Sequence, residues 1–179
     1  TPELRRNAKA VNFGIVYGQT PFGLAAQLGI PRKDAENYIK SYFERYAGVK
    51  RYLEATIAEV RASGAARTLS GRERPIPEIN SRNPGARGFA ERTAVNTPLQ
   101  GSAADLIKLA MIRLDALLRE RGMRSRMLLQ VHDELVLEAP PEEAAALARL
   151  AKETMESVER LEVPLVADVG SGPNWRDAK

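Results

Sequence analysis

Arg5, Lys9, Phe13 and Tyr17 follow one another at intervals of four. On an α-helix a step of four turns through about 400°, so the row drifts by only about 40° per step and stays on one face. That face carries two cations and then two aromatic rings. A core-facing stripe does not normally hold Arg and Lys, and a solvated stripe does not normally hold Phe and Tyr. The pattern suits a ligand with a polyanionic end and a flat end, the shape of a nucleoside triphosphate: cations neutralise phosphate oxygens while a ring lies against sugar or base. It equally suits long cations snorkelling beside buried rings. Arg6 sits about 100° off the row and reads as a solvated charge.

His132 and Asp133 stand between two apolar runs, Met127–Val131 and Glu134–Glu138. A hairpin is the natural reading, and rigid strands on both sides would hold the turn as a metal site requires. His and Asp are also ordinary turn residues, Asp because its side chain bonds its own backbone. Arg92, Asn96 and Gln100 repeat the spacing of four, with Pro98 between the last two. Without further information they read as a polar helix end beside a kink. Arg74 lies in a loop-rich stretch where a solvated charge is the plain reading.

The elements that must position these residues follow from periodicity and punctuation. A helix is expected over Leu4–Tyr17, with Thr1 as its cap and Gly18 at its end. A short helix follows over Phe22–Leu28, stopped by Gly29, and another begins near Pro31 with the apolar row Ala35, Tyr38, Ile39, Tyr42, Phe43, Tyr46, read as packing. Val49–Ala62 is helical. A short hairpin is expected about Ser70-Gly71, then irregular chain through Pro84. Helix resumes over Gly85–Asn96 and, after a kink or break at Thr97-Pro98, over Leu99–Arg121, because proline lacks an N–H and clashes with the carbonyl four residues back. After the 127–138 hairpin, Pro140-Pro141 opens a last helix to about Val158, and Leu165–Val169 is expected as a final strand. The fold class is therefore α+β, with a helical first half and then long helices on a small antiparallel sheet.

Composition narrows the chemistry. The 179 residues include no cysteine, which removes disulfides, Cys-ligated zinc and thiol catalysis, and one histidine, which removes a His-rich metal cage. Apolar runs fall short of the roughly 20 residues of a membrane helix, so no membrane association is expected. The net charge is +4. Residues 1–96 hold 16 Lys and Arg against 9 Asp and Glu, whereas residues 97–179 hold 11 against 14, so the basic surplus is N-terminal and permits a polyanionic partner.

Three motifs in one order carry a resemblance. Arg5-Arg6-Asn7-Ala8-Lys9-Ala10-Val11-Asn12-Phe13-Gly14-Ile15-Val16-Tyr17-Gly18 resembles the R-x-x-x-K-x-x-x-F-G-x-x-Y-G helix of the family A DNA polymerases. Asn96-Thr97-Pro98-Leu99-Gln100-Gly101-Ser102-Ala103-Ala104-Asp105 is similar to that family's intervening helical motif, and Gln130-Val131-His132-Asp133-Glu134 to its palm hairpin. The closing 168–175 segment is similar to the tail of bacterial members, so the resemblance spans essentially the whole chain.

The resemblance implies a helix-rich fingers subdomain over 1–84, including the loop-rich connector, and the C-terminal part of a palm with a small antiparallel sheet over 85–179. It implies that Arg5 and Lys9 hold the phosphates of an incoming deoxynucleoside triphosphate, Lys9 near the reacting end. Phe13 would stack on its sugar and base, and Tyr17 would occupy the template-base site when the fingers are open. Arg92, Asn96 and Gln100 would line the template and the minor groove near the new pair, Arg74 the primer backbone and His132 the primer's terminal phosphate. Asp133 would ligate catalytic Mg²⁺, with Glu134 assisting and two ions in the intact enzyme. A second metal-binding aspartate and a sugar-screening glutamate of the family are not found in this sequence, so Thr1 is read as an internal boundary. The expectation is a cytoplasmic, nucleoid-associated bacterial enzyme, monomeric, acting on primer–template DNA, of which this fragment alone does not turn over. The alternative is a non-catalytic nucleic-acid-binding module, which would have no need of the cation–aromatic helix together with His132-Asp133.

Overall fold

The computed structural model describes residues 1–178, Pro2 by its backbone only. The chain divides into two compact units, Thr1–Ser102 and Ala103–Lys179, each with its own interior.

The first unit opens with α1 (Pro2–Val16), α2 (Pro21–Leu28), α3 (Arg32–Arg45) and α4 (Ala47–Ser63). Thr1 and Thr20 cap the first two helices, their hydroxyls accepting from the N–H of Leu4 at 3.4 Å and Gly23 at 3.2 Å. Each cap satisfies a backbone donor that the first turn leaves free. Leu24, Ala25 and Ala35 form the buried contact of α2 with α3, and Val11, Leu28, Ile30 and Ile39 pack around it. A second core joins Val60 of α4 to Ala66, Ile76, Ile79, Ala90 and Ala94. Ala66 belongs to β1 (Ala65–Arg67), which pairs antiparallel with β2 (Glu73–Pro75), and Ile79 to a 3₁₀ turn, Pro77–Asn80.

At Pro98 the helix does not break. Helix α5 runs unbroken from Pro84 to Glu120 with Pro98 inside it. Tertiary anchors hold both sides of the proline: Ala90, Ala94 and Val95 are buried before it, and the β1–β2 turn is tied to α5 after it. The Leu69 N–H donates to Ser102 Oγ at 2.9 Å, and Ser102 in turn donates to the Pro98 carbonyl. Thr97 Oγ1 likewise bonds the Thr93 carbonyl at 2.7 Å. Packing therefore outweighs the roughly 3 kcal/mol that an interior proline costs.

In the second unit, β3 (Arg126–Val131) and β4 (Glu134–Glu138) form the expected hairpin, with a bulge between Met127 and Leu129. Helix α6 spans Ala144–Glu156. Leu114 and Leu118 of α5 pack with Leu147, Leu150 and Ala151 of α6, and Leu135 and Leu137 of β4 cover that core. The helix starts later than Pro140-Pro141 because the intervening residues form a turn, with the Glu143 N–H on the Pro140 carbonyl at 2.9 Å. The Glu143 carboxylate reaches back to the start of β3, where it accepts from Ser125 Oγ at 2.5 Å, Ser125 N at 2.9 Å and Arg124 N at 3.0 Å.

The strand expected at Leu165–Val169 is not formed. Among the described residues no strand pairs with it. Its backbone is used by side chains instead: the Ala167 N–H donates to Glu156 Oε1 at 3.0 Å, and Lys152 Nζ donates to the Ala167 carbonyl. The α+β class stands, with helices packed on a small antiparallel hairpin.

Candidate functional site

Helix α1 is buried only in its second half. Residues 3–9 are all exposed, Val11 joins the α2–α3 core, and Ile15 is 3% exposed. The expected face is exposed from Arg5 to Phe13 and half-buried at Tyr17, and an open groove of about 420 Å³ lies along it, lined in part by Arg6, Lys9, Phe13, Tyr17, Gln19 and Gln27. Phe13 and Tyr17 stack with ring centroids 6.1 Å apart and planes 13° from parallel. Phe13 is nevertheless 47% exposed, so one end of the stack is open to a further flat group. Among the described residues no carboxylate pairs with Arg5, Arg6 or Lys9.

The structure differs from the simple row in one respect. Arg6, read above as solvated, lines the groove, and Arg5 does not. The cause is the 40° drift: counted back from Phe13, Arg5 has turned about 80° away, while Arg6, seven residues before Phe13, lies only about 20° from it. Gln19 and Gln27 were not singled out by spacing, because they belong to the α1–α2 connection and to α2. They line the groove too, joined by a Gln19 Nε2 to Gln27 Oε1 hydrogen bond of 3.0 Å.

The end of α1 meets α5 within the same unit. Gly18 has φ +73°, and a Cβ built on it would lie 3.1 Å from Arg92 Cγ, so glycine is needed both for the left-handed turn and for the approach. Arg92 is thereby brought against Gly18, at the end of α1. Asn96 follows one turn along α5, its Oδ1 buried with no hydrogen-bond partner among the described residues, and Gln100 is exposed. Arg74 is exposed on β2, paired in register with Ala66.

His132, Asp133 and Glu134 lie in the second unit. Val131 pairs with Glu134, so His132-Asp133 is a two-residue turn. His132 takes φ +56°, the one positive value at a non-glycine residue among those described. Such turns need positive φ at the first central position to match the twist of the strands. A histidine there carries strain of the kind that gathers at functional sites. Gln130 Nε2 donates to the His132 carbonyl and braces the turn. All three side chains are exposed. Among the described residues no three His, Cys, Asp or Glu gather as a metal cage. What the turn offers is a hard carboxylate on a rigid support, a donor set that fits a magnesium ion which keeps several waters and shares substrate oxygens.

Comparison with known proteins agrees with the motifs. The family model described as DNA polymerase family A matches residues 1–177. DNA polymerase I of Lactococcus lactis subsp. cremoris is 57% identical over 98% of this chain and 20% of its own length. DNA polymerase I of Bacillus subtilis is 54% identical over 100% of this chain and 20% of its own. The chain thus spans about a fifth of these curated relatives. A solved structure, the POL domain of Pol1 from M. smegmatis in complex with DNA primer-template and dNTP, matches with a TM-score of 0.96 and 46% identity over 99% of this chain and 31% of that one.

Proposed function

Because this chain belongs to DNA polymerase family A, we propose that it supplies the nucleotide-binding helix and one metal-binding turn of a longer template-directed DNA polymerase. The observation that carries the reading is the groove on α1, where Lys9 adjoins the open Phe13–Tyr17 stack and, among the described residues, no carboxylate pairs with it. The similar M. smegmatis domain, solved with primer-template and dNTP, supports the choice of ligand.

In this reading a primer 3′-oxygen attacks the α-phosphorus of the deoxynucleoside triphosphate. The bond to the bridging oxygen breaks and pyrophosphate leaves. Negative charge grows on the leaving group, and Lys9 stabilises it as a fixed cation and as a proton source, with Arg6 in the same groove and Arg5 at its margin adding positive charge for the phosphates. Phe13 extends its stack onto the sugar and base of the nucleotide, and Tyr17 holds the template-base end. Arg92, Asn96 and Gln100 donate to the purine N3 and pyrimidine O2 acceptors that all base pairs share in the minor groove, which accepts any correct pair without reading sequence. Arg74 and His132 hold the primer backbone.

Asp133 is the residue that would hold magnesium, with Glu134 beside it. When bound, two such ions activate the attacking oxygen and stabilise the leaving one. Two ions need more carboxylates than this turn presents, so residues 1–179 alone bind nucleotide or DNA without turning over. The working enzyme is read as a bacterial cytoplasmic monomer acting on nucleoid DNA.

The test is Lys9→Ala in the longer polymerase. Incorporation should slow by about 10²–10³-fold, the usual cost of one preorganised charge donor, with primer–template affinity unchanged. An equal loss of DNA affinity would reassign Lys9 to the duplex. Magnesium-dependent primer extension by residues 1–179 alone, surviving repurification, would overturn the division of labour.

A further inference from the structure

We propose that Tyr42 is a positioning residue: through its hydrogen bond to Asn12 it sets the rotation of α1 about its own axis, and with it the aim of Lys9 and Phe13. The inference rests on the reading of α1 as the nucleotide-binding helix.

The described side chains in the first half of α1, residues 3–9, are exposed, so its orientation is decided chiefly by what holds residues 11–15. Val11 and Ile15 supply the apolar contact. Such contact is non-directional, and it holds the helix down while resisting rotation weakly. Rotation is resisted from the flanks. On a helical wheel Asn12 lies about 80° to one side of the Val11–Ile15 direction and Gly14 about 80° to the other. At Gly14 the Gln19 amide oxygen packs against the helix backbone, and Gln19 is itself tied to Gln27. At Asn12 the link is a directional bond, with Tyr42 Oη donating to Asn12 Oδ1 at 2.8 Å.

The donor is well held. The Tyr42 ring packs on Tyr46 at 4.9 Å and meets Phe43 edge-on at 5.8 Å, both from α3 or its end. Burial, with the neighbouring Tyr46, pushes the Tyr42 phenol above its ordinary pKa, so it stays a donor. The Tyr42–Asn12 bond therefore transfers the fixed position of α3 to α1.

The leverage is large. Side-chain tips stand about 5–6 Å from a helix axis, so a roll of about 10° moves them by about 1 Å. A misplacement of that size is enough to spoil a reacting geometry by up to about 10²-fold. The bond flanks the row on the Arg5 side, at about 60° from Lys9, so its loss lets the cations and the ring swing together.

Tyr42→Phe removes one oxygen and keeps the ring packing, so it is the variant to make in the longer polymerase. The dissociation constant of the correct deoxynucleotide is measured on a dideoxy-terminated primer–template, where no chemistry occurs. It should rise about two- to tenfold, the worth of one hydrogen bond, while primer–template affinity is unchanged. Asn12→Ala should give the same rise, and the double variant no more than either single change. An unchanged nucleotide constant in Tyr42→Phe overturns the proposal, as does additivity of the two changes or a lowered melting temperature with normal nucleotide binding. Lys9→Ala is measured alongside. If it too leaves nucleotide binding intact, the reading of α1 falls; if it weakens binding and Tyr42→Phe does not, only the role of Tyr42 falls.

Discussion

A Cβ placed on Gly101 would lie 2.6 Å from Thr68 Cγ2, closer than any real side chain tolerates. The helix just past Pro98 and the turn of the β1–β2 hairpin meet at this point, where Arg72 also donates to the Gly101 carbonyl at 3.2 Å. Thr68 cannot yield freely, because it is buried and its hydroxyl accepts from the Arg72 N–H at 3.1 Å.

Gly101→Ala should therefore destabilise the first unit by about 1–3 kcal/mol, the usual cost of overpacking, although alanine is the better helix former. Thr68→Ser deletes the opposing methyl group and should return most of that loss in the double variant. Equal destabilisation with and without the Thr68 change, read by denaturant titration, would remove the steric account.

His132→Gly should relieve the positive φ at the 132–133 turn. A left-handed residue with a side chain costs about 1–2 kcal/mol, against about 0.5–1 kcal/mol for the added freedom of glycine in the unfolded chain. The expected result is equal or higher stability together with slower incorporation in the longer polymerase. Loss of stability, measured in the same titration, would show that the histidine side chain supports the hairpin.

Phe13→Tyr should shift the sugar preference of the polymerase. The resemblance to family A polymerases implies that a phenol oxygen here would replace an interaction that the nucleotide's own 3′-hydroxyl otherwise supplies, so dideoxynucleotides should be used better relative to deoxynucleotides. Competition assays giving one ratio for both proteins would remove Phe13 as the sugar sensor.

The Glu143 carboxylate is held below the ordinary glutamate range, first by the Ser125 hydroxyl and then by the Arg124 N–H. A carboxylate depressed in the folded state binds fewer protons there than when unfolded, so it stabilises above its unfolded pKa of about 4.3 and loses that contribution as pH falls through the folded value. The difference in unfolding midpoint between wild type and Glu143→Gln should be largest at neutral pH and should shrink in acid. A difference independent of pH would mean that the carboxylate charge plays no part.

Most helices were legible because caps and apolar spacing are local signals. Thr1 stands at a helix start, Gly29 at an end, and the apolar positions of α3 and α4 recur at 3–4-residue intervals. The β3–β4 hairpin was legible for the same reason, since two apolar runs with two polar residues between them leave little choice of register. A break at Pro98 and a strand at Leu165–Val169 are not formed, because the local rule was right about the backbone and blind to its surroundings. A helix anchored on both sides continues through its proline, and an apolar segment with no strand beside it among the described residues gives its backbone to Lys152 and Glu156.

The sequence by itself determined which chemistry is at hand: the residue types on α1, the His-Asp turn and the absence of cysteine. These are properties of composition and of helical or strand period, which the backbone enforces without reference to neighbours. Only the tertiary structure decided that Arg6 enters the groove beside Phe13, that Arg92 lies against the end of α1, and that Tyr42 grips Asn12 across 30 positions of chain. The direction a helix face points depends on which of its sides is buried, and that is settled by packing against α2 and α3, which no spacing along α1 encodes.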